Sequence, residues 1–192
     1  PTVLYPAPRR LAEPDGDVIG YKGRALFPIA FRADDAAKPV ELKLTVELGV
    51  CKDICVPVTL NLALALPQAP APPPSLELAA ALDAVPRPAD RRRSGDPVIE
   101  RQVATLKGDK PRVVFEAAFP AGTTGADLFV EAPDGAWVPF AVVKPDTDGR
   151  RVTFDIDLSA GADLKDLIGK TLTVTVVGPT GSLETTTLLK AE

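Results

Sequence analysis

The sequence predicts an all-β protein: two immunoglobulin-like β-sandwich domains joined by a proline-rich linker and a short helix. Three observations predict it. Apolar and polar residues alternate through two long neighbouring runs, 39–50 and 56–66, which is the period-2 pattern of half-buried strands. From residue 97 onward, short apolar runs recur at regular spacing between Gly, Pro and Asp turns, as in a sandwich. Between these regions, residues 67–74 carry Pro67, Pro70, Pro72, Pro73 and Pro74, an extended, semi-rigid spacer that marks a boundary. The expected divisions are 1–67, a first β domain; 68–96, a linker with a short helix; and 97–192, a second sandwich.

In chain order, residues 2–5 form a short strand candidate, ended by Pro6, Pro8 and two arginines. Glu13-Pro14-Asp15-Gly16-Asp17 is a turn, since Pro presets one φ angle and Gly permits a positive one. Residues 18–21 resume extended character, and Lys22-Gly23 turns again. Residues 25–31 form an apolar strand whose Pro28 points to an edge or a bulge. A polar connection, 32–39, leads into the alternating runs. Val40, Leu42, Leu44, Val46 and Leu48 share one face of the first run; Val56, Val58, Leu60, Leu62, Leu64 and Leu66 share one face of the second. Runs joined by so few residues form an antiparallel hairpin.

After the spacer, Ser75 can cap a helix over 76–85 with Leu76, Leu78, Ala79 and Leu82 on one apolar face. A helix this short must pack on a domain. Pro86 and Pro88 end it, and 89–96 is a polar loop. Strands are then expected at 98–106, 112–119, 127–131, 137–143, 151–158, 171–177 and 183–189, with one helical turn at 162–168. Trp137 is expected in core or edge packing, and Asp155 with Asp157 on the polar face of a strand.

Composition narrows the function. A net charge of −4 with interspersed signs argues against a nucleic-acid or anionic-membrane partner, and Arg91-Arg92-Arg93 reads as a solvated loop. The absence of His removes Ser/His and Cys/His nucleophilic pairs. No apolar run approaches the roughly 18–20 residues that span a bilayer, so this piece is expected to be soluble. Beginning at Pro1 without an initiator Met or a signal peptide, it is expected to be a processed or trimmed part of something longer.

The chemistry-bearing stretch is the hairpin tip, which holds both cysteines, Cys51 and Cys55. With Lys52-Asp53-Ile54 as the loop, they oppose each other at about 4.5–5.5 Å between Cα atoms, within reach of a disulfide. That bond closes a ring of about five residues and contributes roughly 2 kcal/mol through chain entropy, less than a long-range bridge would. Its sulfurs sit where an incoming thiolate can approach in line. Spacing alone is equally compatible with a redox pair and with a plain structural bond. Two thiolates on Cu(I) are a third reading, but without His or Met the usual further ligands are missing, and zinc would need Asp or Glu ligands. No metal or cofactor is expected. Three intervening residues separate the pair from a Cys-x-x-Cys site.

Gly49-Val50-Cys51-Lys52-Asp53-Ile54-Cys55-Val56-Pro57, preceded by Asp15-Gly16-Asp17-Val18-Ile19-Gly20-Tyr21-Lys22-Gly23 and Leu26-Phe27-Pro28, resembles the periplasmic N-terminal portion of the DsbD-like thiol:disulfide interchange proteins. Within them it is most similar to the ScsB group, named for suppression of copper sensitivity. The resemblance implies a protein-disulfide reductase module, the periplasmic part of an inner-membrane protein. Cys51 and Cys55 would then be the cycling pair, reduced by the thioredoxin-like domain of the full-length protein and oxidised by a periplasmic thioredoxin-fold partner such as a ScsC-like disulfide isomerase. By the same resemblance Cys55 forms mixed disulfides and Cys51 resolves them. Three departures stand out. The cysteines are closer together than in the best-known members, and the loop corresponding to their aromatic cap has no aromatic residue, Tyr21 being the nearest. Family members also carry a further segment ahead of the region that starts here at Pro1, so an incomplete first sandwich with an open sheet edge is expected.

Overall fold

The computed structural model describes residues 1–13, 16–33, 35, 38–52, 54–66 and 73–190. Residues 67–72 of the expected spacer, Pro14 and Asp15 of the first turn, and Asp53 of the cysteine loop lie outside the described residues. The strands are β1 (Thr2–Val3), β2 (Arg9–Glu13), β3 (Gly16–Gly20), β4 (Ile29–Ala30), β5 (Val40–Cys51), β6 (Cys55–Leu66), β7 (Arg87–Pro88), β8 (Val98–Thr105), β9 (Arg112–Ala118), β10 (Asp127–Glu131), β11 (Val142–Pro145), β12 (Arg151–Asp157), β13 (Thr171–Val177) and β14 (Ser182–Leu188). Helix α1 (Leu76–Asp83) precedes β7, and α2 (Leu164–Leu167) lies between β12 and β13. The fold is all-β, with little helix. Two compact units emerge: Pro1–Thr2 with Ile29–Ser75, and Val3–Pro28 with Leu76–Glu192.

The first unit is dominated by the β5–β6 hairpin, antiparallel and paired without a break from Val40↔Leu66 to Cys51↔Cys55. Its apolar face is half-buried along β5 at Val40, Leu42, Leu44 and Val46, but along β6 Leu62 and Leu64 remain 54 % and 58 % exposed. No described residue of either strand is fully buried. Among the described residues the ladder stays two-stranded, so both outer edges carry unpaired backbone groups.

The second unit contains a sandwich. One sheet runs β10-β13-β14-β7 and the other β11-β12-β9-β8. Alternation sends Val113, Phe115 and Ala117 of β9 and Val152, Phe154 and Ile156 of β12 inward to meet Leu128 of β10 and Leu172, Val174 and Val176 of β13. Asp163 caps α2, its carboxylate accepting a hydrogen bond from the Lys165 backbone N–H at 3.0 Å.

Several elements differ from expectation for identifiable reasons. Arg9 and Arg10 do not end a strand; they open β2, which pairs with β3 as a hairpin around the expected turn. The expected strand at 137–143 is replaced by β11, which starts at Val142; Pro139 within the expected run has no N–H to give to a ladder. Trp137 is 57 % exposed and packs edge-on against Phe140. Helix α1 does not bury its leucines. Leu76 is 92 % exposed, while Ala81 is buried. Small side chains let the backbones approach, and the Ala7 N–H reaches the Ala84 carbonyl at 2.9 Å.

Two carboxylates in this unit are withdrawn from water. In the expected polar loop, Asp96 is 1 % exposed and accepts both Nε (2.7 Å) and Nη2 (2.8 Å) of Arg87, plus the Arg93 backbone N–H. Asp155 does lie on the outer face of β12, yet Arg112 and Lys144 cover it. The hydrogen bond from Arg87, outweighing burial, holds the Asp96 carboxyl below its ordinary range. At Asp155 burial opposes ionisation, but the hydrogen bonds and charges of Lys144 and Arg112 outweigh it in the same direction. A carboxyl with a lowered folded pKa contributes stability that is complete above the unfolded value of about 4 and is lost as pH falls through the folded value. Urea midpoints should therefore fall progressively below about pH 4. Asp96→Asn and Asp155→Asn should be less stable at neutral pH and show a flatter acid limb. An unchanged limb in both would refute this assignment of the acid sensitivity.

Candidate functional site: the disulfide at the hairpin tip

Pairing at the tip fixes where the sulfurs lie. The Lys52 N–H donates to the Ile54 carbonyl at 3.2 Å, so the 52/54 pair is of the hydrogen-bonded class. Strict alternation then makes 51/55 and 49/57 narrow, non-bonded pairs. The Cys51–Cys55 Cα separation of 4.0 Å agrees, and a disulfide joins the two residues. Pro57, opposite Gly49, occupies a site whose backbone nitrogen points out of the ribbon, so its missing N–H removes no bond from the ladder.

Both cysteines are exposed. Side chains of a directly opposed pair point to the same face, so the disulfide shares its face with Gly49 and Pro57, then Glu47 and Thr59, then Thr45 and Asn61, whose side chains hydrogen-bond at 2.9 Å. The apolar side chains occupy the opposite face. A Cβ at position 49 would stand 4.0 Å from Cys51 Sγ, and nothing else comes within that distance. Glycine therefore leaves one flank of that sulfur uncovered. Around the tip, Val50, Ile54 and Val56 are 54 %, 75 % and 48 % exposed, with Val50 and Val56 on the face opposite the disulfide. Among the described residues no group of three or more His, Cys, Asp or Glu could hold a metal ion.

Tyr21, the aromatic residue nearest the expected cap loop, belongs to the second unit. Its hydroxyl donates to the Pro6 carbonyl at 2.9 Å, and its ring meets Phe27 edge-on. Alternation and the closeness of the two cysteines made their opposition legible in the sequence. Gly49 was not singled out there, because the space beside a sulfur depends on which residues share its face.

A solvent-exposed disulfide across the end of a hairpin leaves its sulfurs open to an incoming thiolate. Residues 1–67 match the family described as thiol:disulfide interchange protein DsbD, N-terminal, and residues 84–192 match a domain of unknown function (DUF8393). By the match over residues 84–192, more than half of its length, the chain belongs to the DUF8393 family, and its first part is similar to the DsbD N-terminal domains. The crystal structure of the N-terminal periplasmic domain of ScsB from Proteus mirabilis superposes with a TM-score of 0.68 at 19 % identity, covering 100 % of this chain and 73 % of that one. That likeness establishes a shared fold. No curated protein matches the chain. No helix among the described residues is long and apolar enough to cross a membrane.

Proposed function

We propose that the chain is a periplasmic thiol–disulfide interchange module that passes reducing equivalents to thioredoxin-fold partners through Cys51 and Cys55. The observation that carries this is the position of the disulfide. The ladder of β5 and β6 already closes the hairpin, the sulfurs are exposed, and the ring is too small for the bond to matter much as a staple. The match to the DsbD N-terminal family supports the same chemistry. In the loading step, a thiolate of a relay dithiol attacks one sulfur of the disulfide. A mixed disulfide forms, the other cysteine leaves as a thiolate and takes a proton, and the relay's second thiolate then releases the reduced pair while the relay becomes a disulfide. Delivery runs the same steps in reverse on an oxidised partner such as a ScsC-like isomerase, with Cys55 in the mixed disulfide and Cys51 resolving.

Equilibration with glutathione or dithiothreitol buffers tests this. An exchanging pair should titrate within the range of cellular thiol oxidoreductases, above about −300 mV. A potential well below that would make the bond structural and the chain a binding protein.

A further inference from the structure

Phe129 is 4 % exposed although it lies outside the core between the sheets. Leu128 points into that core, so Phe129 faces outward, together with its ladder partner Thr175; Ser182, beside Val177, lies on the same outer face. Thr175 and Ser182 are each 4 % exposed as well. An outer sheet face is commonly wet, and this one is covered. The segment that leads into β2 lies beside it: Pro8, Arg9 and Arg10 line a cavity of about 470 Å³ together with Asp127, Phe129 and Val177.

Arg10 fastens this segment. Its Nε and Nη2 grip the two oxygens of Asp127 at 3.0 and 2.7 Å, and Nη2 also reaches the Ala141 carbonyl. Its guanidinium lies 4.9 Å from the centre of the Phe140 ring. Arg10 and Asp127 side chains are 21 % and 16 % exposed, so the pair is largely out of water. Farther along, burial first, then Tyr5 and then Glu131 raise the Tyr21 hydroxyl pKa, and Glu131 lies on the same outer face as Phe129.

We propose that the outer face of the β10-β13-β14-β7 sheet is a docking surface for the β2–β3 hairpin, and that holding this hairpin is a function of the domain so far without one. The surface fits a short ribbon that presents an arginine to Asp127. Five-residue strands paired only with each other are not stable alone, so β2 and β3 fold because the sandwich anchors them. The family match ends at residue 67, but the folding unit of its first part extends into the second domain. This holds whatever the disulfide does.

Hydrogen exchange on the full chain tests it, comparing wild type with Arg10→Met, Asp127→Asn, the double variant and the exchanged pair Arg10→Asp/Asp127→Arg. Either single change should lower protection across 9–13 and 16–20 by about 10- to 100-fold while β9 and β12 keep theirs. The double variant should lose no more than the singles, and the exchanged pair should regain part of the protection. Equal loss in β9 and β12, or additive losses in the double variant, would overturn the proposal.

Discussion

Replacing Gly181 with Ala is expected to destabilise the protein by about 3 kcal/mol, although the substitution adds a single methyl group. The tight turn into β14 brings Gly178 N–H to the Gly181 carbonyl at 2.9 Å and presses position 181 against the Arg87–Asp96 pair. A Cβ there would overlap Asp96 Oδ1 and stand 2.9 Å from Arg87 Nη2. Asp96 has no free rotamer to retreat into, because Arg87 and the Arg93 backbone already hold both of its oxygens. The methyl must therefore part a buried ion pair or shift β14 away from β7, its parallel neighbour. Urea denaturation followed by far-UV circular dichroism reads the loss. A change below about 1 kcal/mol would mean that the clasp yields without resistance.

The second large effect is expected on chemistry, with little on stability. Cys51→Ser or Cys55→Ser should reduce exchange with a thioredoxin-fold dithiol to background while lowering stability by only about 2 kcal/mol, the chain-entropy value for so short a ring. If Cys55 is the attacking sulfur, Cys51→Ser should still accumulate a mixed disulfide on non-reducing gels and Cys55→Ser should not. A variant that exchanges normally yet melts far earlier than wild type would return the bond to a structural role.

What the sequence discloses depends on the range of the interaction involved. Alternation is local, so the hairpin, the opposition of Cys51 and Cys55, and six of the seven later strands could be located to within about two residues. The elements that escaped are those settled by distant partners. Pro6 and Pro8 disguise the approach to β2, where Arg10 pairs with Ile19 across the hairpin and its side chain finds its partner, Asp127, 117 positions away. The buried pair of Arg87 and Asp96 resembles ordinary loop polarity until β14 closes over it. Helix α1 misleads for another reason: its leucines form the more hydrophobic face, but its alanines allow the closer approach.

The long hairpin has one further consequence. A β ladder slipped by one residue turns every side chain to the opposite face, and a ribbon that buries no residue fully has little packing to forbid such a slip. The covalent stop at the tip does forbid it, since Cys51 cannot leave Cys55 while the sulfurs are joined. The disulfide thus acts as a registration pin for both strands, and reducing it would hand the choice of frame back to the loop and the hydrophobic pattern.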